Sequence, residues 1–248
     1  YHGFPTITGN LTGEVLIMPQ SGHSPTLKKI LFNNASYWTL YGVEISPEVV
    51  STYESTGRFI EINSNCSFII VENCDVYSAA STTGWTRSDW LTKTGSAFYV
   101  DAPDCQIIDN QITNISIGIN LTVEATRSEA VGNTINFFRT DALRGMGNYQ
   151  LFDANLVTNC IDADPPGSEG NHEDAFQSYT YGGTPAVLGG STLTGNILRN
   201  NVFINFTDPN IPFIGDMQGI GMFDGYYEDW VIENNIVIAD QWNGISIY

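Results

Sequence analysis

The sequence predicts an all-β fold in which short strands coil into one long solenoid, and three observations support this prediction. No segment of the 248-residue chain keeps the 3.6-residue apolar period of a helix. Short β-branched and aromatic runs alternate with Gly, Asn and Asp, a pattern typical of many short strands. Several segments also align as a repeat of roughly 21 to 25 residues, the length of one solenoid coil.

Each repeat starts with a short apolar strand, continues through a turn into a second strand and ends near an Asn. The units begin at RFIEI (58–62), SAFYV (96–100), IGINL (117–121), DALRG (141–145), DAFQS (174–178), QGIGM (218–222) and NGISI (243–247). This alignment places one bulky apolar residue per coil in an inward-facing column. Its members are Ile60, Phe98, Ile119, Leu143, Phe176, Ile220 and Ile245.

Two further columns follow from the same alignment. An Asn column, expected to bond along the solenoid axis, contains Asn73, Asn110, Asn133, Asn200 and Asn234 and is broken by Ala154. A column of small residues contains Ala97, Gly118, Ala142, Ala175, Gly219 and Gly244. If the small column is on the outer surface, it forms a smooth trough for an extended sugar chain. The alternative is that small residues relieve crowding against a neighbouring loop.

The net charge of the chain disfavours two classes of binding partner. With nine Lys and Arg against 27 Asp and Glu, the net charge is −18, which disfavours nucleic acid and anionic lipid. The apolar runs are too short for membrane insertion.

We expect the four cysteines to be buried small hydrophobes. The alternative is a single disulfide bridge, such as Cys66–Cys105.

The stacked columns and the Glu233-Asn234-Asn235 turn resemble the right-handed parallel β-helix superfamily, the pectate-lyase-like fold, from about Leu27 onward. The stretches NHEDAFQ, LRGMG and GIGMFDG also look like bacterial right-handed β-helix repeat proteins. The resemblance implies one right-handed parallel β-helix domain over residues 1–248, and the strand-like pattern GISIY at its end suggests a fragment of a longer chain. It also implies a polysaccharide partner, an extracellular, periplasmic or virion-surface location and, for a phage tail spike, a homotrimer.

Asp141 and Asp174 occupy one column, so the sequence predicts two carboxyl groups about 5 Å apart on neighbouring coils. Each would raise the pKa of the other toward that of a general acid. Arg144 could counter this charge, and His172 could act as a base or acid near neutral pH. The alternative is a structural set in which each Asp bonds local backbone.

Loops at 78–95, 162–173 and 207–217 are all inserted before a first strand, so they are expected along one side of the groove. The residues predicted to bind substrate are Gln177, Arg139, Gln218, Trp85, Trp90, Lys93, Phe213 and Asn243. Asp162, Asp164 and Glu173 form a weaker pattern that could bind Ca²⁺, although no cofactor is required.

The sequence therefore predicts a polysaccharide-cleaving enzyme, with glycoside hydrolysis slightly preferred over β-elimination. Lys is scarce, and a chain of charge −18 repels polyuronates unless calcium bridges them. The alternative is a glycan-binding attachment module, such as a tail spike, or an extracellular structural solenoid.

Overall fold

The computed structural model describes residues 3–49, 57–164, 172–182, 187–241 and 243–247. In chain order its strands are β1 Thr6–Ile17, β2 Thr26–Leu27, β3 Ile30–Tyr41, β4 Glu44–Ile45, β5 Arg58–Ile62, β6 Ser67–Glu72, β7 Asp75–Tyr77, β8 Ser96–Val100, β9 Gln106–Ile108, β10 Gln111–Ile115, β11 Ile119–Leu121, β12 Glu129–Val131, β13 Thr134–Phe138, β14 Asp141–Gly145, β15 Leu151–Asp153, β16 Leu156–Cys160, β17 Asp174–Tyr179, β18 Tyr181–Gly182, β19 Val187–Leu188, β20 Thr192–Thr194, β21 Ile197–Arg199, β22 Val202–Ile204, β23 Gln218–Phe223, β24 Tyr226–Glu228, β25 Val231–Glu233, β26 Ile236–Ile238 and β27 Ile245–Ile247. Helix α1 covers Arg87–Lys93, and a 3₁₀ turn covers Pro47–Val49.

The strands form three parallel faces, and the chain visits them in turn on each coil. The first face contains the start of β3 and then β5, β8, β11, β14, β17, β23 and β27. The second contains the end of β3 and then β6, β9, β12, β15, β21 and β25. The third contains β2, β4, β7, β10, β13, β16, β22 and β26. The fold is therefore the parallel β-helix that the sequence predicts.

The predicted register of the first face is confirmed. Ile60, Phe98, Ile119, Leu143, Phe176, Ile220 and Ile245 pair in succession. Six of the seven are buried; Ile245 lies in the last described strand and is 57% exposed. The three predicted loops lie between a third-face strand and the next first-face strand, although residues 165–171 fall outside the described part of the chain.

The Asn column is a correction, because the sequence alignment merged two adjacent columns. Asn73, Asp109, Gly132, Ala154, Asn200 and Asn234 share the left-handed backbone conformation at the corner after the second face. The next residue of each coil forms the buried ladder. In that ladder Asn110, Asn133, Asn155, Asn201 and Asn235 bond through side chains and backbone amides. The ladder satisfies polar groups inside the coil that water cannot reach.

The small-residue column is a second correction. Ala97, Ala142 and Ala175 are fully buried members of the hydrophobic core. A Cβ at Gly118 would approach the core side chain of Ile135 to 2.9 Å. The column therefore faces the interior at a crowded corner and cannot form the floor of an outer trough.

Four free cysteines, Cys66, Cys74, Cys105 and Cys160, are buried. Burial raises the pKa of each thiol, so all four behave as small apolar residues. Among the described residues no helix is long and apolar enough to cross a bilayer.

Candidate functional site

The first face carries its polar side chains in pairs three residues apart. In β5 and β8, two consecutive buried residues separate two that are partly exposed. A bonded pair results on three coils: Arg58 with Glu61, Arg144 with Asp141, and Gln177 with Asp174. Because the two intervening residues both enter the core, these pairs lie on the side of the strand away from it. This outer row forms the candidate site.

Asp141 and Asp174 are direct partners on neighbouring coils, as the sequence predicts. Both residues are 0% exposed. Arg144 forms an ion pair with Oδ2 of Asp141, and Gln177 Nε2 donates to Oδ2 of Asp174 over 3.0 Å. Within the described residues, the Oδ1 atoms of both Asp side chains are buried without a hydrogen-bond partner. Each carboxyl group therefore keeps one oxygen uncommitted.

The surroundings give the two carboxyl groups different pKa values. Burial, and then the charge of Asp141, raises the pKa of Asp174 to about 8 against the opposing effects of Gln177 and Arg144. Burial also raises the pKa of Asp141, but only to about 6, because the charge and hydrogen bond of Arg144 favour its ionised form. The pKa values of both carboxyl groups are therefore raised, and Arg144 makes Asp141 the more acidic of the two.

A cavity of about 1030 Å³ lies beside this pair on the outer side of the first face. Its described lining consists of Met146, His172, Gln177, Tyr179, Tyr181, Leu188, Gln218, Phe223, Asp224 and Asn243. Gln177 is three residues after Asp174, and Gln218 is the residue that pairs with Asp174 on the next coil. A Cβ on Gly221 would come within 2.8 Å of Asp174 Oδ1. The glycine therefore leaves room for that oxygen.

Four of the predicted site residues line this cavity: His172, Gln177, Gln218 and Asn243. His172 is exposed and Asn243 is half-buried, whereas Gln218 is buried with its Oε1 unpartnered among the described residues. Arg144 lies 5.8 Å from the ring centroid of Tyr179, a residue of the cavity wall. The structure therefore brings these residues to one place, together with the carboxyl pair.

Three other predicted residues belong to a separate apolar cluster around α1, and a fourth, Lys93, lies over the ring of one of them. Trp90 is fully buried there and packs edge to face against Trp85 with ring centroids 5.2 Å apart. Phe213 joins the same cluster, and Lys93 forms a 2.8 Å ion pair with Asp89. Trp90 is thus buried in the cluster rather than open to a sugar ring, and these aromatic side chains pack the loops together.

Arg139 and the predicted metal residues form a third group. One ligand atom from each of Asp162, Asp164 and Glu173 lies within 4.8 Å of the others. Burial, and then the charge of Asp162, raises the pKa of Glu173 to about 8.

Positive charge already faces this acidic group. Arg87 forms a 2.7 Å ion pair with Asp162, and Arg139 lies close enough to Asp164 and Glu173 for their charges to act on it. A bound cation would compete with these guanidinium groups. Calcium binding at this cluster stays a prediction.

Sequence reasoning missed the apolar wall of the cavity. Tyr181 and Leu188 belong to the antiparallel pair β18–β19, which is inserted after a first-face strand rather than before one. Tyr179 and Phe223 are opposite residues at the ends of β17 and β23. The period of the repeat could have identified this last pair, since both lie five residues beyond the Asp column. The insertion has no such signal.

Comparisons with known proteins add little to this picture. No protein-family model matches the chain, and no curated protein matches it. The periplasmic alginate epimerase AlgG is similar in structure, with a TM-score of 0.35 and 12% identity over 86% of this chain and 51% of that one. A point mutant of AlgG gives a TM-score of 0.27 and 12% identity over 85% and 50% of the two chains. The chain spans about half the length of these enzymes, and similarity at this level carries no functional argument.

Proposed function

We propose that this protein binds a glycan on the outer side of the first face and cleaves it by hydrolysis, with Asp141 and Asp174 as the reacting pair. One observation carries the proposal. Two buried carboxyl groups lie on neighbouring coils, each with one oxygen that has no hydrogen-bond partner among the described residues, and a large cavity lies close to Asp174.

The two carboxyl groups suit the two roles in glycoside hydrolysis. Asp174, with a pKa of about 8, is the proton donor to the leaving oxygen. Asp141 remains ionised beside Arg144 and supplies the negative charge that attacks or stabilises the sugar cation. Adjacent coils are about 4.8 Å apart, close to the carboxyl separation of retaining enzymes, so we propose retention of configuration.

The cavity lining favours a neutral glycan. Gln177, Gln218 and Asn243 offer amide groups for sugar hydroxyls, and Tyr179 and Phe223 offer ring surface for sugar C–H groups. Of its described lining residues, none is Lys or Arg. A polyuronate would need positive charge there, as would β-elimination, in which His172 would be the candidate base. The net charge of −18 acts in the same direction.

A glycan-binding module without catalysis is the second candidate. The observation that favours it is the depth of the carboxyl pair, because neither Asp lines the cavity itself. In that case the amides and rings of the cavity would hold the sugar, and the Asp–Arg and Asp–Gln pairs would only support the wall. Homotrimer formation and an extracellular, periplasmic or virion-surface location stay predictions.

Incubation with a panel of neutral and uronic polysaccharides tests these alternatives. Hydrolysis predicts new reducing ends without the ultraviolet absorbance of an unsaturated uronate. Activity should be highest between about pH 6, where Asp141 ionises, and about pH 8, where Asp174 loses its proton, in line with the pKa of each carboxyl group. Reducing ends with that absorbance would indicate elimination, and retention of a glycan without product would support the binding module.

A further inference from the structure

An apolar column runs along one side of the cavity beside the carboxyl pair. Tyr179 and Phe223 pair on neighbouring coils. Met146 takes the same position one coil earlier, because it follows Arg144 by two residues as Tyr179 follows Gln177, and Arg144 pairs with Gln177. Alternation places residues two apart on the same side of a strand. The thioether and the two rings therefore form one half-buried outer column, and all three line the cavity.

The antiparallel pair β18–β19 adds a second apolar surface to the same cavity. Tyr181 pairs with Leu188, both residues line the cavity, and each is 53% exposed. These side chains are therefore accessible to a ligand. Val187, which precedes Leu188, is 50% exposed but does not belong to the described lining. Adjacent strand residues point to opposite sides, so Leu188 faces the cavity and Val187 faces away from it.

The polar part of the lining consists mainly of amides. Gln177 and Asn243 are partly exposed and belong to the start of the first-face strands β17 and β27. Half of the ten described lining residues are Met, Leu, Phe or Tyr. A ligand that fills this cavity must therefore present hydroxyl groups on one side and apolar groups on the other.

We propose that this cavity selects neutral sugars that carry a methyl group, either a 6-deoxyhexose or an N-acetylated hexosamine. An aromatic ring stacks on the C–H side of any hexose, but the aliphatic side chains of Met146 and Leu188 have no group that bonds a hydroxyl. A hydroxymethyl group placed against them would lose water without gaining a partner, whereas a methyl group gains apolar burial there. The proposal rests on the glycan binding proposed above and is independent of cleavage.

The test compares sugars that differ in one group, titrated into the intact protein and followed by calorimetry. The pairs are methyl D-galactoside with methyl D-fucoside, and methyl D-glucoside with its 6-deoxy form. N-acetyl-D-glucosamine, compared with glucose, tests the acetyl source of the methyl group. We expect the methyl-bearing member of at least one comparison to bind about tenfold more tightly. Saturation-transfer NMR should then show the strongest transfer to its methyl protons.

A matched pair of variants locates the source of this preference. Leu188→Ser should reduce it to about threefold or less, because the serine removes the aliphatic contact and offers a hydroxyl group instead. Val187→Ser is the same kind of change on the other side of the strand and should leave the preference in place. Both residues are about half exposed, so both variants should fold, which thermal melts verify.

Three outcomes would overturn the inference, and they separate it from the proposed function. Equal affinity for the two members of every comparison would remove the methyl selection while glycan binding stands. A preference that Leu188→Ser leaves unchanged would show that this wall is not its source. Failure of the protein to bind any neutral sugar would remove the methyl selection and the proposed glycan binding together.

Discussion

Two regions of the first face share one pair geometry, but the acid in one has a lowered pKa and the acid in the other has a raised pKa. On β5, Glu61 accepts from both Lys29 and Arg58 at 2.7 Å. Burial raises the pKa of Glu61, but the hydrogen bonds and charges of the two cations outweigh it and bring the pKa below the usual value. On β17, Asp174 has Gln177 as its bonded partner and Asp141 as its neighbour, and its pKa rises to about 8.

The comparison shows that the scaffold fixes where an acid is placed and its partners fix whether it is ionised. Both acids belong to an outward pair three residues apart on the same face. Two partly exposed cations, Lys29 and Arg58, favour the ionised form of Glu61. Burial and the neighbouring Asp141 favour the protonated form of Asp174, whose bonded partner Gln177 is a neutral amide. Four experiments test this distinction, and the first has the largest expected effect.

Asp174→Asn should abolish glycan cleavage, because the amide keeps the shape of the protonated carboxyl group but cannot donate the catalytic proton. We expect a loss of about a thousandfold or more in reducing-end release, with folding retained by circular dichroism. Glu61→Gln, the matched change on the other coil, should retain activity. Equal activity of Asp174→Asn and the parent protein would remove Asp174 from the reaction.

Arg144→Met should destabilise the protein much more than Arg58→Met. Removing Arg144 leaves Asp141 buried without its counter-charge, a change that costs about 3 kcal/mol unless the carboxyl group takes up a proton. The Arg58 side chain is 41% exposed, and loss of such a surface pair costs about 1 kcal/mol or less. Urea denaturation at neutral pH measures both values. Similar losses in the two variants would contradict the difference between the coils.

The free energy of unfolding should fall as the pH rises from about 4 to 8. Asp141, Asp174 and Glu173 have folded pKa values above their unfolded ones, so the folded state binds more protons in this window. One such group changes the free energy of unfolding by about 1.4 kcal/mol per pH unit between its two pKa values. Their stabilisation is complete below the unfolded values and is lost as the pH passes the folded ones.

Variants assign this pH dependence. Asp174→Asn should flatten the decline in urea or thermal denaturation. Glu61→Gln should not, because the lowered pKa of Glu61 contributes stability with the opposite sign, present above its unfolded value. A decline that is as steep in Asp174→Asn as in the parent protein would show that other groups cause it.

Gly221→Ala should have the smallest effect, a loss of activity of about tenfold. The added methyl group would lie 2.8 Å from Asp174 Oδ1 and still closer to the ring of Phe223, so it would crowd the approach to the acid. Gly244→Ala provides the control, because a Cβ there meets nothing within 4 Å. Steady-state kinetics with the best substrate compares the two variants. Unchanged kinetics in Gly221→Ala would show that substrate does not approach Asp174 from this side.

The sequence was sufficient to predict the solenoid and the neighbouring positions of Asp141 and Asp174, because both depend on a periodic pattern. It misassigned the small-residue column because strict alternation was assumed. Ala142 and Leu143 both enter the core, which shifts Asp141 and Arg144 to the same side. It also merged the left-handed Asn200 with the buried Asn133, since adjacent columns of similar composition cannot be separated without backbone geometry.

The depth of the carboxyl pair and the cavity wall could not be predicted in the same way. Both depend on how insertions such as the β18–β19 pair fold over the first face, and that packing has no period in the sequence. The position of α1 likewise decides that Trp90 is fully buried while Trp85 lies at the edge of the same cluster.

On β5, β14 and β17, two adjacent core residues lie between the two members of an outward-facing polar pair. A short cassette such as Asp-Ala-Leu-Arg carries its own two interior anchors and its own counter-charge. Moving that cassette to a neighbouring coil would shift the Asp–Arg pair by one coil along the axis, with the strand register unchanged. How deeply the pair is buried at its new position would then depend on the loops that cover that coil.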